Sequence, residues 1–254
     1  VVQDELGRQQ ETLERRRVLA ARVRPLLVGD QMTMVFQPIV ALSDGVAVGF
    51  EALARIQAAP RRPPDVWFAE AAEVGLGLEL EMVAVQAGLS ALDQVPSSAY
   101  LTLNVSAAAA CSMKVSEALA AVDPSRVVLE ITEHVAVADY EAIAAVLAPL
   151  RARGVRLAVD DAGSGVAGFD HILKLAPEII KLDIGLTHDI DTSPTRAALV
   201  SFGAATGALM VAEGMETDAE LDTMRRLGVG YGQGYLLGRP SPLSGPESSA
   251  TVAP

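Results

Sequence analysis

Carboxylates recur in this chain at the ends of short apolar runs, and that placement points to metal-assisted chemistry. Glu51 falls near the end of the run Val46–Ala54, Asn104 near the end of Tyr100–Val105, and Glu130 near the end of Val127–Thr132. Asp160 and Asp161 close Arg156–Asp161, Lys181 and Asp183 close Ile179–Asp183, Glu213 closes Leu209–Glu213, and Gln233 lies in Gly230–Leu236. Brought into one small volume, so many ionised carboxylates repel one another and call for cations. The donors are oxygens of Glu, Asp and Asn, with no cluster formed by His134, His171 and His188, so Mg²⁺ or Mn²⁺ suits them better than Zn²⁺. Adjacent aspartates let one carboxylate bridge two ions while its neighbour holds the second. Two ions roughly 3.5–4 Å apart activate a water and stabilise an in-line displacement at phosphorus. Lys181 has two readings at the same place: a salt-bridge partner for the aspartates, or the group that orients or activates the attacking water. Taken singly, a Glu or Asp at a strand end is more often a helix cap or a surface charge. The repetition at nearly every run weighs against that plainer reading. Gly163-Ser164-Gly165, after the paired aspartates, is either a flexible turn or a place for backbone to approach a ligand.

The elements that must position these residues follow from the hydrophobic pattern. Strands are expected at Met34–Val40, Val46–Ala54, Tyr100–Val105, Val127–Thr132, Arg156–Asp161, Ile179–Asp183, Leu209–Glu213 and Gly230–Leu236. Helices are expected between them, at Asp65–Val74, Glu79–Leu92, Val115–Ala121, Tyr140–Arg153, Gly168–Leu175, Thr195–Thr206 and Asp218–Leu227. Such alternation predicts an α/β fold with a largely parallel sheet, and eight strands predict a TIM-like (β/α)8 barrel. In such a barrel the downstream strand ends share one mouth, where active sites sit. The first two strands are an exception. Only Ala41–Gly45 separates them, too short for a helical crossover, and Ser43-Asp44-Gly45 supplies turn chemistry, so one antiparallel hairpin is expected. Residues Asp4 to Val28 read as a charged helix, either packed on the domain or connecting to an upstream regulatory domain. The expected organisation is this N-terminal helix over 1–30, a barrel domain over 31–240, and a Ser/Pro-rich disordered tail over 241–254.

Composition narrows the function classes. The 254 residues, 50% of them hydrophobic, suffice for one large barrel. A net charge of −12 argues against a general nucleic-acid binder, although metal ions can supply the local positive charge for an anionic ligand. No apolar stretch is long enough to span a membrane, and the charged start does not resemble a signal peptide. The absence of an initiator Met suggests a piece of a longer protein. Cys111 is the single cysteine, so no internal disulfide can form and a reducing cytoplasm is the simplest compartment. Cys111 reads as packing, since no paired base is apparent. His134 reads as a loop residue, and Trp67 and Phe68 read as core or edge packing rather than a base-stacking platform. The run Ala107–Ala110 carries no legible chemistry.

These residues also resemble a known family. Phe50-Glu51-Ala52-Leu53-Ala54-Arg55 resembles the signature of the EAL family of cyclic di-GMP phosphodiesterases. Phe36-Gln37-Pro38-Ile39-Val40 is similar to the family's opening strand, Leu103-Asn104-Val105-Ser106 to its Asn motif, and Leu129-Glu130-Ile131-Thr132-Glu133 to its Glu-x-Thr-Glu motif. Asp160-Asp161-Ala162-Gly163-Ser164-Gly165 resembles its paired-Asp loop. Ile180-Lys181-Leu182-Asp183, Ala212-Glu213-Gly214-Met215-Glu216-Thr217, and Gln233-Gly234-Tyr235 through Arg239-Pro240 complete the set, over roughly Thr33 to Pro240. The resemblance implies a barrel with one antiparallel strand. It implies two ions, Mg²⁺ or Mn²⁺, with Glu51, Asn104, Glu130 and Asp160 around one, Asp160 bridging to the second, and Asp161 a ligand there. It further implies that Lys181 and Glu213 hold or activate the attacking water, with the choice of general base open, and that Glu216 supports that shell. Arg55 would contact substrate phosphate, Gln37 and Gln233 would help place the ligand, and Glu133 would anchor the loop after Asp161. The implied reaction opens cyclic di-GMP to linear pGpG, and family members often act as homodimers.

The sequence departs from the family where the loop commonly reads Asp-Asp-Phe-Gly-Thr-Gly-Tyr-Ser-Ser. Here Ala162 replaces Phe, Ser164 replaces Thr, and Val166-Ala167-Gly168 replaces Tyr-Ser-Ser. Loss of two aromatics removes surface that could fix the loop, but every metal ligand remains, so activity is expected to survive. The alternatives are a non-catalytic cyclic di-GMP receptor, suggested by the altered loop, and a protein-interaction module on the same barrel.

Overall fold

In a computed structural model of the chain, which describes residues 2–28, 30–132, 140–162, 172, 174–182 and 194–243, the apolar runs pair in sequence order. The strands are β1 (Met32–Ala41), β2 (Ala47–Ile56), β3 (Tyr100–Asn104), β4 (Val127–Thr132), β5 (Arg156–Ala162), β6 (Ile179–Leu182), β7 (Leu209–Ala212) and β8 (Tyr231–Gly232), and they close into a barrel. β1 runs antiparallel to both β2 and β8, and the other neighbours are parallel. The expected TIM-like barrel with one antiparallel strand is therefore the fold. The hairpin turns through Asp44, whose carboxylate accepts from the Val46 amide at 3.0 Å, and through Gly45 at φ 75°.

The barrel wall explains why a polar ring exists at one end. Ile39, Tyr100, Val128, Ala158, Ile179 and Val211 form a separate apolar cluster. Alternate residues of a strand share a face. Two residues farther along the parallel strands lie Glu130, Asp160, Lys181 and Glu213, and Asn104 lies four beyond Tyr100. On the antiparallel β1 the step runs backwards, from Ile39 to Gln37. One period-two rule thus places an apolar layer beneath a polar one. Gly49, two residues before Glu51, makes room for the Tyr100 ring: a Cβ there would stand 2.4 Å from a ring carbon.

Helices cover the outside. α1 (Val2–Val23) is followed by a 3-10 turn, Arg24–Val28, because Pro25 cannot continue the ladder. The remaining described helices are α2 (Pro64–Glu73), α3 (Gly77–Leu89), α4 (Ala107–Ala110), α5 (Met113–Leu119), α6 (Tyr140–Ala152), α7 (Pro194–Ala205) and α8 (Asp218–Arg226). The Ala run passed over as uninformative is α4, a single turn whose first residues are capped by the Ser106 hydroxyl. The helix expected at Gly168–Leu175 falls largely outside the described residues. Val23, Leu26, Met32, Ile56, Trp67, Ala71 and Leu80 form a core of their own that ties α1 to α2 and α3. Arg22 and Arg62 both bind Glu70, and Arg15 binds Glu73 at 3.0 Å, so α1 is also held to α2 by charge.

Several element boundaries differ from expectation by a few residues, and among the strands β8 differs most. β8 ends at Gly232 rather than Leu236, because the chain turns at Gly234, where amides of Leu237 and Gly238 donate to its carbonyl. Ser241 exchanges two backbone hydrogen bonds with Phe36, so pairing with the barrel continues past Pro240. Among the described residues no helix is long and apolar enough to cross a membrane.

Candidate active site

The polar ring converges on Lys181, whose side chain is 2% exposed. Its ammonium lies 2.6 Å from Glu130 Oε1, 2.8 Å from Glu213 Oε1, 3.1 Å from Glu51 Oε2 and 3.7 Å from Asp160 Oδ1. Each carboxylate comes from a different strand or strand end, so only barrel closure brings them together. Around them runs a chain of amides. Asn104 Nδ2 donates to Glu51 Oε1 at 2.8 Å, Gln233 Nε2 donates to Glu51 Oε2 at 2.6 Å and to Gln37 Oε1 at 3.1 Å, and Gln37 Nε2 donates to the Gly238 carbonyl at 3.1 Å.

One ammonium does not balance four carboxylates, and the titration behaviour reflects this. Burial lifts the Glu130 carboxyl well above its usual range; Lys181 opposes the shift, while Glu51, Asp160 and Glu213 add to it. Burial likewise lifts Glu213 to about 8 against the pull of Lys181. Burial alone would lower Lys181, but the four carboxylates outweigh it and hold the ammonium well above its ordinary pKa.

The donor set fits divalent cations. Glu130 is fully buried, yet among the described residues its Oε2 has no hydrogen-bond partner, and the Gln233 Oε1 is also buried without one there. Buried acceptor oxygens facing excess negative charge are what hard cations satisfy. Among the described residues no three acidic or imidazole groups already form an open ligand cage. The lysine ammonium occupies the centre of the ring instead, and Asn104 is spent on Glu51.

The expected site residues divide into three groups. Gln37, Glu51, Asn104, Glu130, Asp160, Lys181, Glu213 and Gln233 form the linked group just described. Arg55 does not join it. It is exposed farther along β2, where its Nη1 donates to the Ala54 carbonyl at 2.9 Å, but it lines the same open cavity of about 320 Å³ as Glu51 and Asn104. Glu216 is exposed just before α8 and among the described residues reaches no member of the ring; only its backbone amide is engaged there, by Glu220 Oε2 at 2.8 Å. The side chain of Asp161, together with Glu133, Asp183, the three histidines and the loop from Gly163, lies outside the described residues. Trp67 is fully buried and Phe68 packs partly buried against the same core, as read from the sequence; Phe68 also lines the cavity beside Arg55 together with Met34, Pro64 and Asp65. Sequence reasoning also missed Glu81 on α3. Its carboxylate accepts from the Ser106 amide at 2.8 Å and so holds the turn that follows Asn104. The only signal was one of two acids, Glu79 and Glu81, on an otherwise apolar helix, indistinguishable from a surface charge.

An eight-stranded barrel with one reversed strand and a carboxylate–lysine ring at its C-terminal mouth defines a class of α/β-barrel domains. Residues 20–240 match the model of the EAL domain, and the chain belongs to that family. It is 38% identical over 124 residues to the bifunctional diguanylate cyclase/cyclic di-GMP phosphodiesterase MucR of Pseudomonas aeruginosa, covering 47% of this chain and 18% of that protein. It is 37% identical over 127 residues to the probable cyclic di-GMP phosphodiesterase PdeA of Escherichia coli, covering 48% of this chain and 17% of that protein. The match thus spans less than a fifth of the length of these curated relatives. A solved structure of the PaMucR phosphodiesterase in complex with c-di-GMP superposes with a TM-score of 0.77 at 28% identity, covering 88% of this chain and 97% of that one.

Proposed function

We propose that this domain hydrolyses cyclic di-GMP to linear pGpG with the help of two Mg²⁺ or Mn²⁺ ions. The single observation that carries the reading is the buried lysine surrounded by four carboxylates from four strands, in a domain whose relatives bear that activity in their names. Glu51, Asn104, Glu130 and Asp160 would hold one ion, and Asp160 and Asp161 the second. When bound, the ions would supply the positive charge that acidifies a water and stabilises the pentacoordinate phosphorus. Lys181 orients the attacking water and balances the ring. Glu213, lifted to about 8 by burial, is suited to exchange a proton near neutrality and would be the general base, because the surrounding carboxylates keep Lys181 protonated. The water oxygen bonds to phosphorus, the bond to the ribose 3′ oxygen breaks, and that oxygen takes up a proton. Arg55 at the cavity edge meets a phosphate, and the Gln37–Gln233 pair holds Glu51 in place.

The exposed stretch 7–18 of α1 supports a connector role towards an upstream regulatory domain, and homodimerisation and a cytoplasmic location are part of the same reading. The test is formation of pGpG by the purified chain in Mg²⁺ or Mn²⁺, with loss of product in Glu51→Ala. Binding of cyclic di-GMP in Ca²⁺ without turnover in either metal would instead make the domain a receptor.

A further inference from the structure

The opposite mouth of the barrel carries a second polar cavity that the acidic ring does not use. It measures about 350 Å³, at the low end of the ~300–1,000 Å³ typical of small-ligand sites. Its wall is built from the upstream ends of several strands. Ser97 and Ser98 precede β3, Arg126 ends the turn before β4, Arg156 opens β5, and Tyr231 opens β8. No carboxylate lines it, in a chain with 32 Asp and Glu against 20 Lys and Arg.

Arg156 is the focus. Its guanidinium lies 4.4 Å from the centre of the buried Tyr100 ring, which fixes one face of the fork. It makes no hydrogen bond or ion pair among the described residues, so its edge N–H groups have no acceptor there. Arg126 is different: its Nε and Nη2 are spent on the carbonyls of Val95, Pro96 and Ala99, so it adds charge from a rigid mount. Ser125 is also engaged, its hydroxyl donating to Asp123 at 2.7 Å. Ser97 and Ser98 line the same cavity, and their hydroxyls have no protein partner among the described residues.

A planar donor fork held flat, a second fixed positive charge and two free hydroxyls from neighbouring loops match a tetrahedral oxyanion. We propose that this N-terminal mouth is a phosphate site, taking inorganic phosphate or the phosphoryl group of a phosphomonoester. Arg156 and Asp160 stand four positions apart on β5, about 13 Å along the strand, so the two mouths are separate sites. The inference does not depend on the phosphodiesterase reading.

Equilibrium dialysis of the full chain in EDTA at low ionic strength tests it, with inorganic phosphate, GMP and guanosine as probes. Without divalent ions the acidic ring repels phosphate, so binding there is suppressed. Saturable binding of phosphate or GMP, but not guanosine, is expected, weakened at least about tenfold in Arg156→Gln. GMP binding more tightly than phosphate would identify a phosphomonoester as the ligand, and equal affinity would identify the free anion. Should Arg156→Gln fail to fold, the double variant Ser97→Ala/Ser98→Ala, on exposed positions, is expected to weaken binding severalfold. No saturable binding, binding unchanged in a folded Arg156→Gln or in the double serine variant, or binding lost in Glu51→Ala would each overturn the proposal.

Discussion

Replacing Lys181 by methionine keeps nearly the same side-chain volume and removes the one positive charge within the ring. Glu51, Glu130, Asp160 and Glu213 would then face each other with no counter-charge, two of them fully or almost fully buried. Removing one partner of a buried ion pair costs about 3–5 kcal/mol, because the remaining charge stays desolvated and unpaired. For a domain of this size each kcal/mol moves the melting temperature by about 2–4 °C, so Lys181→Met should melt about 6–20 °C below wild type in EDTA. Divalent ions supply the missing charge, so Mn²⁺ should stabilise the variant more than the wild type and narrow the gap. The assay is thermal unfolding followed by circular dichroism, with each protein in EDTA and in Mn²⁺. If the two proteins melt together in EDTA, and Mn²⁺ shifts both alike, Lys181 is not the counter-ion of the ring and the electrostatic account of the site is wrong.

Other perturbations reach separate parts of the argument. Glu51→Ala removes the residue that both Asn104 and Gln233 grip, and product formation should fall below detection while the protein remains folded by circular dichroism. Thr217→Ala breaks the capping box with Glu220 at the head of α8 and should cost about 1 kcal/mol in urea unfolding. An unchanged midpoint would contradict the cap assignment. Burial pushes the Tyr100 hydroxyl up to about 12, so the folded state keeps a proton that the unfolded state releases near 10. Folded stability is then fully present below pH ~10 and is lost as the pH rises from ~10 through ~12, by up to roughly 3 kcal/mol. Tyr100→Phe should lack this component of the alkaline loss, and parallel loss in both proteins would remove Tyr100 as its source.

Much of the fold was legible because the strands obey short-range rules. Apolar runs at regular spacing, a five-residue gap with turn residues, and a polar side chain at each run's end required nothing beyond period-two alternation and turn chemistry. The edges were less legible. β8 stops early because Gly234 turns the chain, and α4 exists because Ser106 caps a run of alanines, and neither is a matter of hydrophobic pattern. The capping-box residues of α8 stood in the sequence at Thr217 and Glu220, but their consequence, an exposed Glu216 set apart from the ring, did not.

By itself the sequence determined which residue types stand at the strand ends and that the strands alternate with helices, because propensity and periodicity act over a few neighbouring residues. Tertiary structure alone decided who touches whom. It put Lys181 at the centre of four carboxylates from distant segments, joined Gln37 to Gln233 across 196 positions of chain, and left Arg156 facing an acid-free cavity at the far mouth. Closure of the barrel sets those distances, and closure is a property of all eight strands together rather than of any one of them.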